Sequence, residues 1–274
     1  NPEERVIFIP DGSLFFVPFP ALQDEDGTYL IEKHTILTAP AIQVLDLTHD
    51  LRENGNNLNA EASSEHLIVG NPTMPSLKFS LDEPAQPLSS LPGAEREALS
   101  IAKLNNSQAL IGEQATESAI VERMPQARII HLATHGLLDY GIPEASLVRD
   151  VPGAIALAPS DTDDGLLTSA EILDLNLNAE LVVLSACDTG RGNITSDGVI
   201  GLSRSLIMAG VPSVVVSLWS VPDAPTAELM TEFYRQMEQT PDKAQALRQA
   251  MLKTMETHPN PRDWAAFTLI GEAE

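Results

Sequence analysis

Three stretches of this chain are apolar on almost every consecutive residue: Ile129-Ile130-His131-Leu132-Ala133, Leu181-Val182-Val183-Leu184 and Val214-Val215-Val216. A strand with one face in water alternates apolar and polar residues, whereas a strand that is apolar throughout must be covered on both faces. That requirement selects a mostly parallel sheet with helices packed on either side of it. The intervening segments supply the helices. Helix-period patterns span 198–208, 226–237 and 244–255, and Thr240-Pro241-Asp242 separates the last two with a stop and a restart. Another helix is expected after Pro92-Gly93, with Ala94, Ala98, Ile101, Ala102 and Leu104 on one side.

The remaining elements are weaker. Val6-Ile7-Phe8-Ile9 reads as a strand ending at the turn Pro10-Asp11-Gly12, with Leu14-Phe15-Phe16-Val17 following at hairpin distance. His66–Gly70 is a strand that Asn71-Pro72 breaks. Residues 71–92 carry five prolines without periodicity and are expected to form a long surface loop. Segment 139–165 is irregular, and Asp161, Asp163 and Asp164 there read as a solvated loop too generic to assert a calcium site. There is no internal repeat, so a single domain over 1–274 is the simplest organisation.

Composition narrows the partners. Lys+Arg number 16 against 39 Asp+Glu, a formal net charge of −23, which is a poor basis for gripping nucleic acid or an anionic membrane. Nor does any apolar run approach the roughly 18–20 residues of a membrane span. The one cysteine, Cys187, allows no intrachain disulfide and suits a reducing cytoplasm. The chain starts at Asn1-Pro2-Glu3 without an initiator Met, and is read as the C-terminal piece of a longer protein.

Ligands of open parallel sheets bind outside the carboxyl ends of the strands. Two of the apolar strands carry reactive groups to that edge: one runs into His135-Gly136, the other into Cys187-Asp188-Thr189-Gly190. A thiol and an imidazole brought together there form a nucleophile–base pair, and the glycines beside them let backbone N–H groups approach an oxyanion. The residues alone leave other readings open. A lone strand cysteine is often a small buried hydrophobe, and a lone histidine at a strand end is often structural. A zinc site from His131, His135 and Cys187 lacks a fourth ligand. Gly201-Leu202-Ser203-Arg204-Ser205 lacks the second glycine of a serine-hydrolase elbow, and there is no phosphate-binding Gly-rich loop.

His131-Leu132-Ala133-Thr134-His135-Gly136 and Leu181–Gly190 resemble the two signature blocks of the CHAT family, caspase- and separase-related cysteine peptidases usually attached to tetratricopeptide repeats. The resemblance runs along nearly the whole chain. It takes in Ile9-Pro10-Asp11-Gly12, Leu91-Pro92-Gly93-Ala94-Glu95, Gly198–Arg204, Ala209-Gly210-Val211-Pro212, Ser217-Leu218-Trp219 and Trp264-Ala265-Ala266-Phe267. It implies a caspase-like three-layer α/β/α sandwich that hydrolyses peptide bonds and needs no cofactor. In that reading Cys187 is the nucleophile and His135 the base, and the backbone N–H groups of Gly136 and Cys187 form the oxyanion hole. His131 is left structural. A backbone carbonyl or water, rather than Asp139, is expected to orient His135.

By the same resemblance, Ser217 and Trp219 lie where a substrate strand adds by β-augmentation. Asp223 would read an Arg, or second a Lys, at the P1 position, with Asp188 the competing residue. Pro222 and Ala224-Pro225 around Asp223 depart from the family's pattern. The partners implied are a peptide substrate with a basic P1 residue and a regulatory repeat domain or activator outside the chain. Arg149 and Arg191 are candidate self-cleavage sites. The rival reading is a catalytically idle interaction module.

Overall fold

The apolar runs form the middle of one sheet, and the residues between them cover it. A computed structural model describes residues 4–58, 65–78, 84–137, 153–185, 196–219 and 221–274. In chain order these give β1 (Arg5–Phe8), α1 (Leu30–Lys33), β2 (Thr35–Thr38), α2 (Ile42–Leu58) and β3 (His66–Pro72). A short ribbon, β4 (Ser76–Leu77) with β5 (Gln86–Pro87), leads to α3 (Pro92–Leu104), β6 (Ala109–Gly112), α4 (Glu117–Arg123) and β7 (Ile129–Ala133). Then come β8 (Gly136–Leu137), β9 (Ala154–Ala156), β10 (Leu166–Thr168), α5 (Ser169–Leu173), β11 (Leu181–Leu184), α6 (Ser196–Met208) and β12 (Ser213–Ser217). The chain closes with α7 (Asp223–Met237), α8 (Lys243–Thr257), α9 (Pro261–Trp264) and β13 (Phe267–Gly271).

The main sheet has the order β1-β2-β13-β12-β11-β7-β3-β6. Every neighbouring pair is parallel except β12 with β13, so the sheet is mostly parallel, as the apolar runs require. Side chains alternate strictly between its two faces. Ile130, Leu132, Val182, Leu184, Val214 and Val216 pack with Ile120 of α4, Ile172 of α5 and Leu206 of α6. Ile129, Leu181, Val183 and Val215 pack on the other side with Ile101 of α3, Phe233 of α7 and Met251 of α8. A buried aliphatic side chain contributes about 1.5–3 kcal/mol relative to leaving it in water. Both faces of three consecutive strands make this the largest store of stability in the molecule.

Gly70 permits the tightest approach. A Cβ there would overlap Ala98 and lie 2.6 Å from the carbonyl of Ala94, so α3 can lie directly on β3 only because the residue is glycine.

Three sequence expectations are corrected. Residues 14–17 form no hairpin partner for the first strand: Gly12–Phe16 is a 3-10 turn, and β1 pairs in parallel with β2 instead, Arg5 opposite Thr35. The left-handed Gly12, at φ 53°, and the prolines that follow fold the chain off the sheet, leaving the first strand's edge to a later one. The stretch 71–92 is not all loop, since β4 and β5 pair within it. The irregular segment likewise contains β9, which joins β8 and β10 in a small antiparallel sheet. Among Asp161, Asp163 and Asp164, Asp163 Oδ2 accepts from the hydroxyls of Ser160 and Thr162, both at 2.8 Å, and Asp164 Oδ1 accepts from the N–H of Leu166 at 2.9 Å. Their acceptor capacity shapes the turn. Among the described residues no three of His, Cys, Asp or Glu converge as metal ligands.

The two-faced burial can be checked by urea denaturation. Ile130→Ala, at a fully buried position, is expected to lower the unfolding free energy by about 2–5 kcal/mol.

Candidate active site

Because β3, β7, β11 and β12 run in one direction, their carboxyl ends lie along one edge of the sheet. Three segments meet there: Asn71 after the middle of β3, Thr134-His135 after β7, and Ser185 leading out of β11. Cys187 and Asp188, two and three residues beyond Ser185, lie outside the described residues, as do Asp139, Arg149 and Arg191.

His135 is wholly buried. Its Nε2 lies 2.7 Å from the carbonyl oxygen of Ser89. A carbonyl can only accept, so Nε2 carries the proton, and Nδ1 of the neutral ring keeps a lone pair. This backbone carbonyl holds one side of the ring, while Asp139 lies outside the described residues. Burial pushes the imidazole below the ordinary histidine range, and the Ser89 carbonyl offsets part of that. Next to it, Thr134 Oγ1 donates to the carbonyl of Ala156 at 2.7 Å, which ties the end of β7 to the small sheet.

Gly136 pairs with Ile155 across β8 and β9. The flanking bond runs from the N–H of Ala156 to the carbonyl of His135, at 2.9 Å. This is the pattern of a non-hydrogen-bonded pair, in which the residue's own N–H is directed away from the partner strand. The Gly136 N–H therefore faces away from β9, along the outer side of the small sheet.

The Ser89 carbonyl is held in place by a clamp that the sequence did not announce. Asn71 sits in the left-handed region at φ 46°, which Asn tolerates better than most residues. Its Oδ1 accepts from the N–H of Leu91 at 2.7 Å and from Ser90 Oγ at 3.1 Å, and its Nδ2 donates to Glu95 at 3.0 Å. Two residues further on, the N–H of Gly93 donates to Asp223 Oδ2 at 3.1 Å. That carboxylate caps an otherwise unsatisfied N–H in the first turn of α3, where negative charge is favoured. A Cβ on Gly93 would overlap the Asp223 side chain. Asp223 is exposed, and its other oxygen makes no hydrogen bond to any described residue. The loop Ser89–Gly93 thus touches His135 at one end and Asp223 at the other. The only sequence signal for this was Asn-Pro immediately after an apolar strand.

Ser217 closes an interior strand, paired with Phe267, and the Leu218 N–H donates to the Ala266 carbonyl at 2.8 Å. The chain leaves the sheet from Trp219 onward. Trp219 is half-buried, packs against both cores, and donates from Nε1 to the Arg262 carbonyl at 3.0 Å. His131 is elsewhere. It is wholly buried between α3 and α7, with Nε2 3.0 Å from Glu97 Oε1, without hydrogen-bond alignment, and its ring edge-on to Tyr234 at 5.5 Å. Burial, and then the Glu97 charge, hold the Tyr234 hydroxyl well above its ordinary pKa. His131 and His135 therefore serve different partners.

The sheet order and the edge site define a caspase-like α/β protein. The structure superposes on the separase of the Saccharomyces cerevisiae separase–securin complex with a TM-score of 0.55 and 14% identity, over 97% of this chain and 15% of that one. It superposes on the Arg-specific cysteine proteinase gingipain R with a TM-score of 0.55 and 11% identity, over 93% of this chain and 57% of that one. The CHAT domain family matches residues 1–272, and the chain belongs to that family. Tetratricopeptide repeat protein 28 of Mus musculus and of Homo sapiens are each 30% identical over 302 residues, covering 97% of this chain. The chain spans 12% of the length of those relatives.

Two outcomes follow from the geometry. Asn71→Ala loses three side-chain hydrogen bonds, two accepted and one donated, and is expected to cost about 1–3 kcal/mol in chemical denaturation. Asn71→Gly, which suits the backbone, should recover only part of that. In an NMR titration His135 should take up its proton below the ordinary value of about 6.5. The unfolded chain then binds more protons than the folded one between those two values. The His135 contribution to stability is accordingly complete above about pH 6.5 and is lost as the pH falls through the folded value.

Proposed function

We propose that this chain is a cysteine endopeptidase domain working through a Cys187/His135 dyad. The observation that carries the reading is His135 itself, buried at the carboxyl end of β7 with Nε2 donated to the Ser89 carbonyl, beside the strand that leads to Cys187. With Nε2–H so committed, Nδ1 is the atom that would take the thiol proton and later return it to the leaving amine. A neutral, desolvated imidazole is the form a general base needs near neutral pH. The oxyanion would be met by backbone N–H groups at Gly136 and Cys187. The outward direction of the Gly136 N–H supports the first of these.

The preferred P1 residue in this reading is Arg, with Lys second. Asp223 supports it by being exposed, with one oxygen making no hydrogen bond among the described residues, so a guanidinium can pair with it while Gly93 fixes its position. Asp188 is the competing residue. The substrate main chain would run along the backbone that leaves the sheet at Ser217–Trp219, with Trp219 walling a side-chain pocket. The acidic balance, −23 overall, would draw a basic segment toward the cleft. The chain acts here as a single domain of a longer cytoplasmic protein, governed by a repeat domain or activator, with Arg149 and Arg191 as candidate self-cleavage sites. No described helix is long and apolar enough to cross a membrane.

One observation favours a second reading, an idle interaction module: the curated relatives are named for their repeats. A panel of fluorogenic peptides differing only at P1 separates the two. Peptidase activity predicts turnover after Arg that Cys187→Ala and His135→Ala each lower by on the order of 10³-fold or more. Absence of turnover with every peptide, in the full-length protein with its partners present, leaves the module. Asp223→Asn keeps the acceptor for Gly93 but removes the charge. It is expected to lower kcat/KM for Arg peptides by about tenfold to a hundredfold, with thermal stability little changed. Retained Arg preference in that variant moves the assignment to Asp188.

A further inference from the structure

The opposite edge of the sheet, where β7 and β11 begin, borders a cavity of about 590 Å³. That is within the range of sites for small organic ligands, about 300–1,000 Å³. Ile129, Leu177, Ala179 and Met237 supply an apolar wall. Lys243, the first residue of α8, lines the cavity with only 7% of its surface exposed, and its ammonium makes no hydrogen bond or ion pair with any described residue. A buried cation is costly unless something compensates its charge.

Four nearby carboxylates are engaged with other cations, and a fifth in the lining, Glu238, is exposed to solvent. Glu180 pairs with Arg128 at 2.9 Å. Asp242 pairs with Arg5 at 2.5 Å and caps α8 through the N–H of Gln245 at 2.9 Å. Glu272 and Glu274 lie 3.9 and 3.6 Å from Arg52. Lys243 is the cation left over, and burial pulls its pKa down while Glu180, Glu272 and Asp242 act on it only from a distance. Tyr234 lines the same cavity, and its buried hydroxyl has no hydrogen-bond partner among the described residues.

We infer that this cavity binds an organic anion, an apolar body carrying a carboxylate or phosphate head group, with the head group on the Lys243 ammonium. The inference is independent of the peptidase reading, because the cavity lies at the other end of the strands from His135. The apolar wall takes the body, and the unpaired ammonium takes the charge.

Calorimetry on the 274-residue chain with benzoate, phenyl phosphate, inorganic phosphate and benzylamine tests the assignment. Saturable binding of benzoate or phenyl phosphate is expected, and which of the two binds more tightly identifies the head group. Inorganic phosphate, lacking the body, should bind at least about tenfold more weakly, and benzylamine should not bind. Lys243→Met should weaken the organic anion at least about tenfold. A second measurement needs no variant: the bound anion should slow acylation of Lys243 by a small activated ester, which transfers its acyl group and releases its alcohol, by at least about tenfold at saturation as followed by mass spectrometry. Absence of saturable binding by both organic anions up to about 10 mM overturns the inference. So does unchanged affinity in Lys243→Met, or binding that leaves Lys243 unprotected.

Discussion

Burial of both faces of the central strands is the constraint on which everything else rests. Val182, Val183 and Leu184 cannot all be dry unless helices lie above and below β11, and the same holds for β7 and β12. Parallel strands covered in this way need helical crossovers, and the crossovers bring each strand back in the same direction. Their carboxyl ends therefore gather at one edge and their starts at the other. Both candidate sites are products of that arrangement: His135 belongs to the first edge and Lys243 to the second. The single antiparallel step, between β12 and β13, brings the last strand back into the sheet with Phe267 opposite Ser217.

At the carboxyl edge, main-chain groups do much of the positioning. A carbonyl, that of Ser89, holds the imidazole, and the N–H of Gly93 holds a carboxylate. Asn71 sets both through the loop between them, because its amide spans Leu91, Ser90 and Glu95 at once. Backbone groups carry no side-chain signature, and burial of the ring favours its neutral form.

Membership of the CHAT family and a caspase-like fold place the chain among relatives that include peptidases, but fold and chemistry are separable. A fold of this kind rests on the apolar faces of its central strands, whatever chemistry stands at their edge. Separase and gingipain R share the architecture at 14% and 11% identity, so the likeness speaks for the fold alone.

The sequence by itself determined the layer architecture, since uninterrupted apolar runs admit few alternatives. It also placed His135-Gly136 at the carboxyl end of an apolar strand, because strand ends and glycines are local signals. Only the tertiary structure decided which strands are neighbours. The expected hairpin at 14–17 failed because a left-handed glycine and prolines turned the chain away, and a strand some 27 residues beyond β1 took its place. The partners of the site were equally hidden: Ser89 lies 46 residues from His135, and Gly93 lies 130 from Asp223. Lys243 reads in the sequence as one more charged residue at a helix start. Its burial without a paired carboxylate among the described residues emerges only when distant segments have claimed Glu180, Asp242, Glu272 and Glu274. Pairings of that kind depend on three-dimensional distance, which hydrophobic periodicity does not encode.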